Sequence, residues 1–175
     1  MRELAEVLLR GPNTLTSGER EMIATFVSGR NDCDFCQASH RAAAAHHLEG
    51  NYELVDAVRQ DYRTAPVSSK LKALLTIAAA VQQGGKAVAP LDVERARAEG
   101  ATDMEIHDTV LIAAAFCMFN RYVDGLATVT PTDPHAYDQM GQRMAREGYV
   151  RPATGVPEMS PQVHRQQSNP PATRG

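Results

Sequence analysis

Residues 15–40 read LTSGEREMIATFVSGRNDCDFCQASH. Thr16 followed three residues later by Glu19 is a capping box, in which each side chain satisfies a backbone N–H at the start of a helix. Met22, Ile23, Phe26 and Val27 then recur at helical spacing, and Gly29 marks a stop. Asn31 and Asp32 form a short loop ending in a second cap, so Cys33 falls at or near the start of a further helix that runs through FCQASHRAAAAHHL toward Gly50. The twelve positions from Glu21 to Cys33 leave room for the first helix to turn back onto the second.

The same signals recur outward from this pair. Thr102 and Glu105 repeat the capping box ahead of IHDTVLIAAAFCMFNRYVDGLA, and Ser68 or Ser69 opens KLKALLTIAAAVQQGG, which stops on a glycine pair. DVERARAEG follows Pro90, and YELVDAVRQDY and HAYDQMGQRMAREGY supply two more helical segments. Alanine, the strongest helix former, is abundant, while Val and Ile never alternate long enough to suggest a strand. The expected fold is all-α, a helical bundle spanning residues 1–150 as one domain. From Arg151 the composition changes: four prolines between Pro157 and Pro171 and almost no large apolar side chain. Residues 151–175 are expected to form a flexible or partner-draped tail, because they bury too little to offset their ordering entropy. The helices LKALLTIAAAV and VLIAAAFCMF are apolar on most sides, which predicts a central hairpin or burial completed by another subunit.

Composition narrows the function. The 175 residues are 43% hydrophobic and 22% charged with a net charge of -3, which gives no reason to expect nucleic acid or an anionic membrane as partner. The longest apolar run, Val110 to Phe119, is about half the roughly 20 residues a membrane span needs. The stretch MRELAEVLLRG is charged from its second residue and lacks a leader's apolar core. A cytoplasmic location is expected, and in a reducing compartment a C-x-x-C pair is catalytic or metal-binding rather than a permanent staple.

Cys33 and Cys36, three positions apart in a helical turn, can reach disulfide geometry, and His40 lies on the face of Cys36 at i+4. Unpaired N–H groups and the positive end of the helix dipole favour thiolate there, so a lowered thiol pKa is expected. Glu19 is occupied by its cap; Glu21 has no local partner and adjoins Met22 and Ile23. A partly buried Glu21 suits the task of orienting the His40 imidazole and taking its proton. An exposed Glu21 would pass that role to Glu19 or cancel it. Zinc is the rival: Cys33, Cys36, His40 and either His46 or His47 are the right residue types, but they crowd onto one helix instead of two knuckles. No metal and no cofactor is therefore expected. His46 and His47 are read as solvent-side or interface residues near a helix C-terminus, and Cys117 as a small buried hydrophobe. Asn120, Arg121 and Asp124 either pair at a helix end or line the site.

Glu21, Cys33, Cys36 and His40 together resemble the pattern E-x(11)-C-x-x-C-x(3)-H of the AhpD-like alkylhydroperoxidases, all-helical proteins of the carboxymuconolactone decarboxylase superfamily. Residues 15–40 and the later FNRYVDGLA are similar to its peroxidase-related branch. The resemblance implies that Cys36 is the peroxidatic thiolate, Cys33 the resolving thiol, and Glu21 with His40 the proton relay, acting through a water. It implies a small hydroperoxide substrate, a dithiol electron donor of lipoyl type, and a homotrimer or hexamer. Where some relatives carry a His between the cysteines, this chain has Asp34 and Phe35. Decarboxylase relatives generally lack the C-x-x-C pair, which counts against lactone decarboxylation here. A dithiol–disulfide oxidoreductase or redox switch would use the same pair.

Overall fold

The structure, a computed structural model, describes residues 1–150; the tail expected over 151–175 lies outside the described residues. Eight α-helices and no strand form among the described residues: α1 (Arg2–Arg10), α2 (Ser17–Arg30), α3 (Asp34–His47), α4 (Tyr52–Asp61), α5 (Ser69–Gln83), α6 (Pro90–Ala98), α7 (Asp103–Gly125) and α8 (Pro134–Glu147). Both capping boxes are formed, Thr16 with Glu19 and Thr102 with Glu105, and Ser68 rather than Ser69 caps α5 by accepting from the Leu71 N–H. The stretch MRELAEVLLRG, not placed on a helix from sequence alone, folds as α1 and buries Leu8 and Leu9.

The most enclosed helix is α2. Every residue from Arg20 to Ser28 is buried, polar ones included. A buried polar group without a partner costs several kcal/mol, and these are largely satisfied. Arg20 donates through Nη1 to the carbonyls of Leu8 and Gly11 (both 3.0 Å), leaving only its Nε unpaired among the described residues, and Thr25 donates to that of Glu21 (2.8 Å). Helix α3 lies between α2 and α8, while α5 and α7 pair and supply Leu74, Leu75, Ile77, Ile112 and Phe116 to the core. Burial of side chains this size contributes about 1.5–3 kcal/mol each.

Of the two helices expected to be buried on most sides, α5 is. Helix α7 instead leaves Met104, Leu111 and Met118 exposed at seven-residue intervals, a stripe along one face, with Tyr122 one turn further.

Two contacts fix the frame around the later site. Gly141 of α8 crosses α3 so closely that a Cβ there would lie 2.5 Å from the Ala42 carbonyl carbon and 2.7 Å from the Ala43 nitrogen. At the start of α7, buried Glu105 takes Lys70 of α5 (2.8 Å) and the Thr14 hydroxyl (2.9 Å). Burial pushes its carboxyl up, but Lys70, the Thr102 side of the cap and Thr14 outweigh burial and hold it below the usual range.

Candidate active site

The α2–α3 connection is a tight reversal. Asp32 takes a left-handed conformation (φ 54°), and the N–H groups of Asn31, Asp32 and Cys33 bond back to the carbonyls of Val27, Gly29 and Ser28 at 3.1, 3.2 and 3.1 Å. The turn is tied to the bundle by side-chain amides. Gln82 donates to Asn31 (2.9 Å), Asn31 to Asn120 (2.8 Å), and buried Asn120 to the Ser28 hydroxyl (3.1 Å). Cys33 is the N-cap of α3, and Cys36 sits in its first turn.

Both cysteines are free thiols, and they differ in access. Cys33 is completely enclosed, whereas Cys36, itself largely buried, lines a cavity of about 290 Å3. The expectation of a lowered thiol pKa is corrected. Burial pushes the Cys33 thiol far up, partly offset by the backbone N–H of Cys36 and reinforced by Asp124. Burial likewise raises Cys36, against hydrogen bonds from Cys33 and Asn120 that favour its thiolate. The start of α3 does point at the sulfurs. Loss of water outweighs it, since desolvation always disfavours the charged form.

Glu21 is wholly buried, so the condition that would have moved the relay to Glu19 is not met. One carboxylate oxygen faces the His40 Nδ1 at 2.8 Å, and the other accepts from the hydroxyl of Tyr149. With the Nδ1–H donated to Glu21, Nε2 is left bare and basic. The imidazole is packed between aromatic rings: Phe116 edge-on at 4.6 Å and Tyr149 stacked at 5.9 Å and 17°. Burial and the neighbouring Glu21 hold the Tyr149 hydroxyl well above the ordinary tyrosine range, so it stays a donor. His40 and Cys36 line the same cavity, one helical turn apart.

Sequence reasoning missed Tyr149. The chain leaves α8 at Gly148, whose left-handed φ of 81° aims Tyr149 inward, and the Tyr149 N–H donates to Glu6 (2.6 Å). Arg10 of the same helix donates to the Met144 and Ala145 carbonyls at the end of α8 (3.1 and 2.7 Å). A glycine C-cap followed by a large side chain was the available signal.

The remaining candidates fall elsewhere. His46 meets Asp138 at 2.9 Å in a partly exposed cluster with Tyr52. His47, expected on the solvent side or at an interface as a cationic helix end, is half-buried. Its Nε2 is buried without a partner among the described residues, and burial lowers its pKa, so it is not a cationic helix end. Cys117 is half-buried and accepts from Asn31 at 3.6 Å. Asn120 lines the thiol site and Asp124 acts on both sulfurs, while Arg121 only caps the Cys117 carbonyl (2.8 Å) at the surface. Among the described residues no group of three or more His, Cys, Asp or Glu is placed to hold a metal ion, and no helix is long and apolar enough to cross a membrane.

Comparison with known proteins bears on the family and the fold. The model of the carboxymuconolactone decarboxylase family matches residues 1–65 and 60–130. The chain is similar to an uncharacterized peroxidase-related protein from Silicibacter sp. TM1040, with 30% identity, a TM-score of 0.69, and coverage of 76% of this chain and 69% of that one. It is similar also to an alkylhydroperoxidase AhpD core structure, an uncharacterized peroxidase-related protein from Ralstonia eutropha JMP134, at 27% identity and TM-score 0.71, covering 80% and 72% respectively. No curated protein matches the chain. The family model covers most of the described residues and the all-helical frame is shared with both structures: the chain belongs to the carboxymuconolactone decarboxylase family, in its AhpD-like, peroxidase-related branch.

Proposed function

We propose that the protein is a thiol peroxidase that reduces hydroperoxides through Cys36 and Cys33, with His40 and Glu21 moving the proton. The observation that carries this reading is the Glu21–His40 contact at 2.8 Å behind a cavity that Cys36 lines. Because burial raises both thiols, a resting thiolate is disfavoured at neutral pH. The proton must leave as the reaction occurs, and the bare His40 Nε2, directly or through a water, is the base that takes it. The Cys36 sulfur attacks the terminal oxygen of ROOH, the O–O bond breaks, and the imidazolium returns its proton to the departing RO group, giving ROH and a sulfenic acid. The Cys33 thiol then displaces water and forms the disulfide. An external dithiol, of lipoyl type in the proposal, restores both thiols and leaves as its own disulfide.

Cys36 is assigned as the attacking sulfur because it borders the cavity, and Cys33 as the resolving one because it does not. Tyr149 is a positioning residue: by occupying the second oxygen of Glu21 it fixes which oxygen faces the imidazole. The exposed Met104–Leu111–Met118 stripe of α7 supports a homotrimer or hexamer, and scattering-detected gel filtration measures it. The setting is proposed to be the cytoplasm.

The deciding experiment is hydroperoxide consumption with a dithiol reductant, with thiols titrated before and after one equivalent of peroxide. Two thiols lost per chain, with turnover abolished in Cys36→Ser, is the expected result. The raised thiols favour one second reading, a dithiol–disulfide oxidoreductase or redox switch. That reading holds if the pair oxidises readily with disulfides while peroxide is left untouched.

A further inference from the structure

The cavity in front of Cys36 has an uneven lining. Its walls are apolar, with Phe35, Phe119, Met140 and Met144 prominent, and no Asp or Glu lines it. Its charged side chains apart from His40 are two arginines, Arg2 of α1 and Arg143 of α8. Arg143 is half-buried, and this sets it apart. The other arginines not fully exposed are Arg10, Arg20 and Arg41, and each donates to a carbonyl or carboxylate. Arg143 has no such partner among the described residues. Arg143 is half-buried as a residue, yet its guanidinium nitrogens stay within reach of solvent, so the head group is free to take an anion through a charge-assisted bond. The chain's net charge is -3, so this positive lining is local and not a general property of the surface.

Resting on the peroxidase reading above, we propose that the preferred substrate is an amphiphilic hydroperoxide bearing a carboxylate. Its apolar chain lies along the aromatic and methionine wall, its carboxylate meets Arg143 with Arg2 beside it, and its hydroperoxide reaches Cys36. The volume of about 290 Å3, at roughly 30 Å3 per water-sized group, holds about ten non-hydrogen atoms, which suits a medium-chain fatty acid rather than a long one. The methionines adapt to chains of differing shape. Small neutral peroxides would fit but leave the arginine unpaired. They are expected to be poorer substrates through KM rather than kcat.

Binding tests this apart from turnover. The probe is hydroxyoctanoate with its hydroxyl on the terminal carbon, the alcohol left when the matching hydroperoxide is reduced, measured by calorimetry beside its methyl ester. The acid is expected to bind at least tenfold more tightly than the ester, and added salt should weaken the acid alone. In Arg143→Gln the acid-to-ester ratio should fall toward one, and Arg143→Lys should restore part of it. Equal affinities for acid and ester in the wild type, or a ratio unchanged in Arg143→Gln, would overturn the proposal. Because the alcohol is not turned over, failure of the peroxidase reading leaves this result legible. Conversely, hydroperoxide turnover that ignores the carboxylate would sink only the substrate assignment.

Discussion

Helix α3 carries two histidines that each meet a carboxylate and a tyrosine, and the two clusters differ in every respect that matters for chemistry. His40 lies against Glu21, with side chains 11% and 1% exposed; His46 lies against Asp138, at 24% and 45%. In the inner cluster each carboxylate oxygen has its own partner, His40 on one and Tyr149 on the other. In the outer cluster His46 and Tyr52 share a single oxygen of Asp138, at 2.9 and 2.6 Å. The ring nitrogen engaged differs too. His40 spends Nδ1 on Glu21 and leaves Nε2 without a partner among the described residues, whereas His46 spends Nε2. Both tyrosines are pushed up, Tyr52 to about 12 by burial and then by Asp138. The roomier cleft of about 710 Å3 adjoins the outer cluster, but no cysteine lines it. Cavity size is therefore a poor guide here. What makes a histidine useful is a fully committed carboxylate behind it and a nucleophile in front.

The comparison can be broken most directly at the nucleophile. Cys36→Ser should leave no peroxide turnover, while Cys33→Ser should still consume one equivalent and stop at the sulfenic acid, detectable by a dimedone-type probe. His40→Gln should come next, with a loss of about 10²–10⁴-fold at neutral pH, the usual weight of a general base. Its deficit should shrink as pH climbs. Burial raises the Cys36 thiol, so solution hydroxide begins to supply thiolate only above the ordinary thiol range. Thiolate absorbance in the ultraviolet checks the same sign, and a thiol titrating near pH 6 would contradict it. Tyr149→Phe should cost about 10- to 150-fold, in line with ~1.5–3 kcal/mol for a hydrogen bond to a charged group, with helix content intact. At the bottom, His46→Gln should alter turnover less than about twofold and stability by under ~1 kcal/mol, as expected of a partly exposed ion pair. A large effect there would erase the distinction between the clusters.

Much of the inner cluster was legible because it is local. Thr16, Glu19 and the Met22–Val27 spacing place α2, and the Asn31–Asp32 turn then returns α3 along it, so Glu21 and His40 meet across a hairpin. Spacing also reported which glutamate was free, since Glu19 was already bound to its own cap. The ionisation of the thiols was not legible. A helix start is visible in sequence, but the desolvation that overrides it depends on the packing of α7 and α8, distant in the chain. Tyr149 and Arg143 were hidden for the same reason, and His47 looked like a solvent-facing helix end until α2 was seen to cover it. The stripe on α7 was hidden within an evenly apolar run, where periodicity carries little signal.

The latch that seats Tyr149 also orders events in time. The His40–Glu21 contact closes a loop of 19 residues, whereas Tyr149 meets the same carboxylate across 128. Long loops are the slower to close. A refolding chain should thus regain its helical signal and the α2–α3 hairpin in an early phase. Peroxide turnover should return in a later one, once α1 has caught the end of α8. Maturation would then be limited by the meeting of α1 with the end of α8 rather than by the turn that holds the sulfurs.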